Sequence, residues 1–160
     1  MQIITQLIRL TFALLLITCF MTPARSQEHG TERMRIALVG LVHSHAWGFV
    51  KRLGELHEKR ELIEIVGVSD ENAELREYIK TLLPGVPVYE SYAKMLDEKK
   101  PEIAWSFVEN DRHLEVTKAC AARRIHVMFE KPMAATYAQA REMADIAKQA
   151  NIQLMVNYQM

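Results

Sequence analysis

The sequence predicts an α/β fold, a doubly wound parallel sheet in a single domain. Three observations carry that prediction. Six short apolar runs alternate with helical segments across short connections, and parallel neighbours need crossover helices of this kind. The first run, Ile36 to Val39, is continuously apolar, as in a strand covered on both faces. The runs are nearly free of charge, and polar residues gather where they end.

The elements follow in order. "RMRIALVGL" gives the first strand, and a helical stretch runs from about Ser44 to Lys59. "ELIEIVGVSD" is the second strand, with Leu62, Ile63, Ile65, Val66 and Val68 as its apolar residues. "ENAELREYIKTLL" is amphipathic, with Ala73, Leu75, Tyr78, Ile79 and Leu82 at a roughly helical period. "PGVPVYE" reads as a turn and a short edge strand, where Pro87 is tolerated. Ser91 is placed to cap "YAKMLDEKK". "PEIAWSFV" is the fourth strand and "DRHLEVTKACAARR" the next helix, with Leu114, Val116, Ala119 and Cys120 facing inward. "IHVMFE" is the fifth strand. Thr136 caps "YAQAREMADIAKQAN", whose inward face carries Tyr137, Ala140, Met143, Ala147 and Ala150, and "IQLMVNY" is the sixth strand.

The chain has 160 residues, 49% hydrophobic and 25% charged, enough for a packed core and unlike a disordered chain. Formal net charge is zero, so the basic face expected of a nucleic-acid binder is missing. The start reads separately. Arg9 precedes an uncharged run from Leu10 to Met21, then "TPARSQ" offers small residues at Ala24 and Ser26. Residues 1–26 are expected to be a secretory signal peptide, giving an exported, periplasmic or extracellular protein. The run is short for a membrane span of roughly 20 residues. An uncleaved membrane anchor is the alternative. Losing Arg9 and Arg25 from the 20 basic residues leaves 18 against 20 acidic. Residues 27–33 read as a linker and 34–160 as the domain. Beyond the leader's Cys19, Cys120 stands alone, so an internal disulfide is not expected and the thiol reads as a small core group.

Ligands of open parallel sheets bind beyond the carboxyl ends of the strands, where strand order reverses. Leaving those ends here are Gly40 with "LVHSH", Asp70, Glu109 and Asn110, Glu130 to Pro132, and Asn157 and Tyr158. Gly40 opens a G-x-G-x-x-G spacing, the dinucleotide fingerprint, but Val42 and His45 occupy the other two glycine positions. His43, Ser44 and His45 complete a loop suited to hydrogen bonding near phosphates. Asp70 is placed either to accept from a ribose diol or to cap the following helix. No Arg follows it directly in "DENAE", which favours NAD over NADP. His43 and His45 form an H-x-H pair, yet further zinc ligands would have to come from afar, and no metal is expected. His113, just beyond the fourth strand, faces the cofactor or stabilises its turn. Pro132 restricts how Lys131 leaves the fifth strand. A positioned ammonium there can bind a substrate hydroxyl and stabilise charge during hydride removal. Glu130 holds a ribose, tunes Lys131, or pairs with it to cap the strand. His29, His57 and His126 read as background, Trp47 and Trp105 as core.

"ALVGLVHSH", "VGVSDEN", "FVENDRHLEVTKACAARRIHVMFEKPMA" and "IQLMVNYQM" together resemble the N-terminal domain of the Gfo/Idh/MocA oxidoreductases, over roughly residues 34–160. The resemblance implies a Rossmann-like NAD(P)-binding domain, followed by an α/β domain with an open antiparallel sheet for substrate and oligomer contacts. It implies that Lys131 meets substrate and nicotinamide, with Glu130 near the nicotinamide ribose. Glu109, before Asn110, stands where the family usually has Pro or Thr. Because the chain stops at Met160, the second domain and the family's catalytic histidine are expected to be missing. The chain alone is then expected to lack full activity, and homo-oligomers to require that domain. The expected function is the nicotinamide-nucleotide domain of an oxidoreductase acting on a sugar, polyol or related CH–OH substrate. The alternative is a non-catalytic nucleotide-binding module, and a metal-dependent hydrolase using the histidines comes third.

Overall fold

The computed structural model describes residues 33–158. The expected leader, residues 27–32 of the linker, and Gln159 and Met160 lie outside the described residues. Six strands form one sheet: β1 (Met34–Val39), β2 (Ile63–Ser69), β3 (Val88–Tyr89), β4 (Ile103–Ser106), β5 (His126–Glu130) and β6 (Leu154–Asn157). Their order is β3-β2-β1-β4-β5-β6 and every pairing is parallel. This is the doubly wound arrangement the sequence predicts. Five helices make the crossovers: α1 (Ala46–Glu58), α2 (Ala73–Leu82), α3 (Tyr92–Lys99), α4 (His113–Ala121) and α5 (Tyr137–Ala150). A 3₁₀ turn, Asn110–Arg112, leads into α4.

Alternation along the strands builds two cores, one on each face. Ile36 and Leu38 of β1 join Ile63, Ile65 and Val68 against Val50 and Leu53 of α1 and Ile79 of α2. Ala37 and Val39 face the other way, with Met95 and Leu96 of α3, Val116 and Cys120 of α4, and Met143 and Ala147 of α5. A stretch buried on both faces must be apolar, which is why Ile36–Val39, the buried part of β1, shows no polar alternation. Cys120 is a core group, and burial pushes its thiol pKa up to about 12, so it is no nucleophile at neutral pH.

The helix starts explain the crossovers' boundaries. Ser91 accepts the Lys94 N–H and Thr136 the Gln139 N–H, as predicted. The α2 cap is Asn72, which accepts the Glu74 N–H at 2.8 Å, and not Asp70. Several inward assignments need correction. Tyr78 and Tyr137 are 52% and 77% exposed, and Ala73 is exposed too; Leu62, read into the second strand, lies just before β2. On α2 only Ile79 is fully buried, with Leu75 and Leu82 partly buried against the same core.

Candidate functional site

All six strands point the same way, so their carboxyl ends share one rim, and the order reverses between β1 and β4. Asp70, after β2, and Lys131, after β5, both lie on that rim. Between β1, β2 and β4 the rim opens into a cleft of about 280 Å³, lined by Gly40, Val42, Asp70, Asn72, Val108 and Glu109 among others.

The loop from β1 into α1 forms one wall. Gly40 has φ +76, and a Cβ there would lie 2.6 Å from Val108 Cγ1 and 3.0 Å from the Val108 backbone N. Only glycine allows both this backbone and this approach to the segment that leaves β4. Val42, at the second fingerprint position, is 47% exposed and puts its side chain on the cleft wall. His45, at the third, is the N-cap of α1 but makes no side-chain cap bond. α2, α3 and α5 are each capped by a side chain; α1 and α4 are not. At α1 the Ala46 N–H donates to the His43 carbonyl at 2.9 Å, and the positive dipole end of the 13-residue helix lies at the rim. The Asp70 carboxylate forms the second wall. Its Oδ2 accepts the Leu41 N–H at 2.7 Å and its Oδ1 the Asn72 N–H at 2.7 Å. Each oxygen keeps a lone pair for another donor.

At the other end of the rim stands Glu130, 1% exposed. Its Oε1 accepts from Asn157 Nδ2 at 2.7 Å, and its Oε2 lies 3.3 Å from His45 Nδ1. One nitrogen each from His43 and His45 and a Glu130 oxygen lie within 4.8 Å of one another. The expected Glu130–Lys131 ion pair does not form: the carboxylate turns inward, whereas Lys131 and Pro132 are exposed. Among the described residues no hydrogen bond or ion pair holds the Lys131 ammonium, which stays available to a ligand. Ser44 is exposed on the loop. Glu109 and Asn110 are exposed after β4, and Glu109 lies 4.0 Å from Arg112.

Of the two roles open to His113, the geometry favours holding a turn. Its ring is wholly buried and stacks on Phe129 at 4.3 Å. Nδ1 donates to the Met133 carbonyl at 3.1 Å, so it holds the turn after Lys131–Pro132 and does not face the cleft. Burial pushes its pKa below the ordinary histidine range despite that bond, leaving a neutral ring whose Nε2 has no partner. Two contributors were not legible in the sequence. Arg112 bonds Glu71 at 2.7 Å across the cleft mouth, and Arg76 donates to the Asp70 and Glu71 carbonyls at 2.8 Å each. Asn157, recognised at a strand end, proves to be the partner of Glu130. The α2 periodicity, with Arg76 one turn after Asn72, is the signal that pointed to the second.

The Gfo/Idh/MocA family model, described as the NAD-binding Rossmann fold of an oxidoreductase family, matches residues 34–158. The chain belongs to this family. The rhizopine catabolism protein MocA of Rhizobium meliloti is 26% identical over 130 residues, 79% of this chain and 38% of that protein. Among solved structures, a WlbA dehydrogenase in complex with NADH and UDP-GlcNAcA, from Chromobacterium violaceum, superposes with TM-score 0.69 at 26% identity, over 78% of this chain and 35% of that one. A myo-inositol 2-dehydrogenase from Lactobacillus plantarum gives TM-score 0.66 at 21% identity, over 79% and 36%, and shares the fold. The chain thus spans little more than a third of the length of these Gfo/Idh/MocA relatives. A nicotinamide dinucleotide fits the rim on its own evidence: a helix N-terminus after β1 for phosphate, a buried carboxylate at the end of β2 for a ribose, and a cleft between the Gly40–Val42 loop and Asp70.

Proposed function

We propose that this chain is the nucleotide-binding part of an NAD-dependent oxidoreductase acting on a CH–OH group of a sugar, polyol or related molecule. The observation that carries the reading is the convergence of Gly40, Val42 and Asp70 on one cleft at the switch point of the sheet. Gly40, Val42, Ser44 and the first N–H groups of α1 would hold the pyrophosphate. Asp70 would hold the adenosine ribose, with Asn110 and Glu109 on the far wall. When bound, NAD supplies the hydride acceptor. The protein's own part is to place Lys131 beside the reacting carbon's oxygen, where a cation stabilises charge as the hydrogen leaves. Asp70 at the end of β2 disfavours a 2′-phosphate, so NAD is preferred to NADP. The MocA and WlbA relatives support the sugar-type substrate. Calorimetric titration with NAD, NADH and NADP is the test: binding of the first two at micromolar to low-millimolar concentration is expected, and silence at millimolar NADH sinks the reading.

A second reading, a nucleotide-binding module without catalysis, is favoured by one feature. Val42 and His45 crowd the loop where the fingerprint has glycines. Tight NADH binding without turnover in the longest expressible protein would support it.

We also propose export, supported by the leader-like pattern of Arg9, the uncharged run to Met21, and the small residues Ala24 and Ser26. Among the described residues no helix is long and apolar enough to cross a membrane. Mass spectrometry of secreted protein should find a new N-terminus after Ala24 or Ser26.

A further inference from the structure

We propose that His43, His45 and Glu130 form a binding site for one divalent transition-metal cation of the zinc class, at the end of the rim next to Lys131. Three groups of the types zinc prefers, two imidazoles and one carboxylate, offer ligand atoms within 4.8 Å of one another. Tetrahedral zinc with ligands at about 2.0–2.1 Å holds them roughly 3.3–3.4 Å apart, and His45 Nδ1 lies 3.3 Å from Glu130 Oε2.

The carboxylate is prepared for this role. It is 1% exposed, and a buried carboxylate needs a compensating charge. The adjacent Lys131 turns outward, and the partners that reach Glu130 are His45 and the neutral amide of Asn157. Glu130 and Asn157 sit opposite each other in the β5–β6 ladder, so the amide fixes Oε1 and leaves Oε2 toward the histidines. An outer-shell donor orienting a ligating carboxylate is a recurring feature of metal sites. The cost to His43 is small. Whichever of its nitrogens ligates, the neutral ring gives up only the 3.3 Å contact that Nδ1 accepts from the His45 N–H. Two imidazoles and a carboxylate leave a fourth position open for water or a ligand oxygen, as in catalytic rather than structural zinc sites. The site needs no bound nucleotide, so its fate is separate from that of the NAD reading.

The test uses the full chain, stripped with chelator and without nucleotide. ZnCl₂ is titrated by calorimetry, and CoCl₂ by the visible absorption of low-symmetry Co²⁺. One equivalent of each metal should bind, with micromolar or tighter affinity for zinc. His43→Ala and Glu130→Gln should each abolish stoichiometric binding, and Asn157→Leu should weaken it by roughly 10–100-fold, with circular dichroism confirming the fold. Substoichiometric binding by the unaltered chain overturns the site. So does binding unchanged in folded His43→Ala, which keeps the test decisive if Glu130→Gln does not fold.

Discussion

The Asp70 carboxylate accepts the Leu41 N–H at 2.7 Å, which ties the end of β2 to the loop that leaves β1. Its other oxygen accepts the Asn72 N–H. The residue that would read a ribose is thus also a structural clamp on both walls of the cleft. Since each oxygen already accepts from a backbone donor, an amide in its place would turn an NH₂ group toward an N–H. Asp70→Asn is therefore expected to destabilise almost as much as Asp70→Ala. Hydrogen bonds to charged groups are worth about 1.5–3 kcal/mol, so both variants should lose at least about 1.5 kcal/mol in urea unfolding, with an unchanged slope. A loss below about 0.5 kcal/mol for Asp70→Ala would show that the clamp contributes nothing.

Gly40→Ala should be more damaging than a surface Gly→Ala change. Its φ of +76 costs an L-residue about 1–2 kcal/mol, and the new methyl would meet Val108 Cγ1 at 2.6 Å and the Val108 backbone N at 3.0 Å. Trimming the neighbour removes only the first contact. The double variant Gly40→Ala/Val108→Ala should recover part of the loss, corrected for the cavity that Val108→Ala makes alone. Full recovery would mean that the backbone conformation carries no strain; no recovery would mean that the side-chain clash is irrelevant. Urea midpoints of the four proteins in the cycle decide it.

The parts legible in the sequence were those decided by local rules. β1 was readable because its doubly covered stretch, Ile36–Val39, must be apolar at every position. Ser91 and Thr136 were readable as caps because each precedes an amphipathic run. The α2 start was misplaced by two residues, since Asp70 and Asn72 are both good caps and only the Leu41 N–H, 29 residues away, decides that Asp70 has another partner. The inward placement of Tyr78 and Tyr137 failed because periodicity marks a stripe but not how much of it the neighbours cover. The Glu130 environment could not be read at all. Its partners lie 85 and 27 residues distant, and the charged neighbour in sequence, Lys131, is not one of them.

Val42→Gly should restore the close backbone approach that a pyrophosphate needs. Removing a half-exposed side chain from the cleft wall is expected to tighten NADH binding by about tenfold, roughly 1.4 kcal/mol. A stability loss of about 0.5–1 kcal/mol should accompany it, from added glycine freedom. NADH fluorescence titration checks the affinity. Weaker binding would mean that Val42 makes a favourable contact with the nucleotide and that this loop departs from the fingerprint's usual mode.

Glu130 and Lys131 are neighbours with opposite fates, and truncating each should show it. Glu130→Ala leaves Asn157 and His45 without a buried acceptor, which should cost at least about 2 kcal/mol. Lys131→Ala removes an exposed, unpaired ammonium and should change stability by no more than about 0.5 kcal/mol. Equal losses would place Lys131 in a hidden network instead of holding it ready for a ligand.

His113 gives the chain a pH dependence of definite sign. Burial lowers its folded pKa, so the unfolded chain takes up this proton more readily than the folded one. The histidine's contribution is whole above the unfolded value of about 6.5 and is lost progressively as the pH falls below it, toward the lower folded value. The slope from one such group reaches at most about 1.4 kcal/mol per pH unit. His113→Asn keeps a short donor for the Met133 carbonyl and removes the titration. It should be less stable than the unaltered chain at pH 7.5, through the lost stacking on Phe129, but should lose less further stability between pH 6.5 and 5. Parallel stability curves for the two proteins over that window would mean that the ring protonates in the folded state as easily as in the unfolded one, against its complete burial.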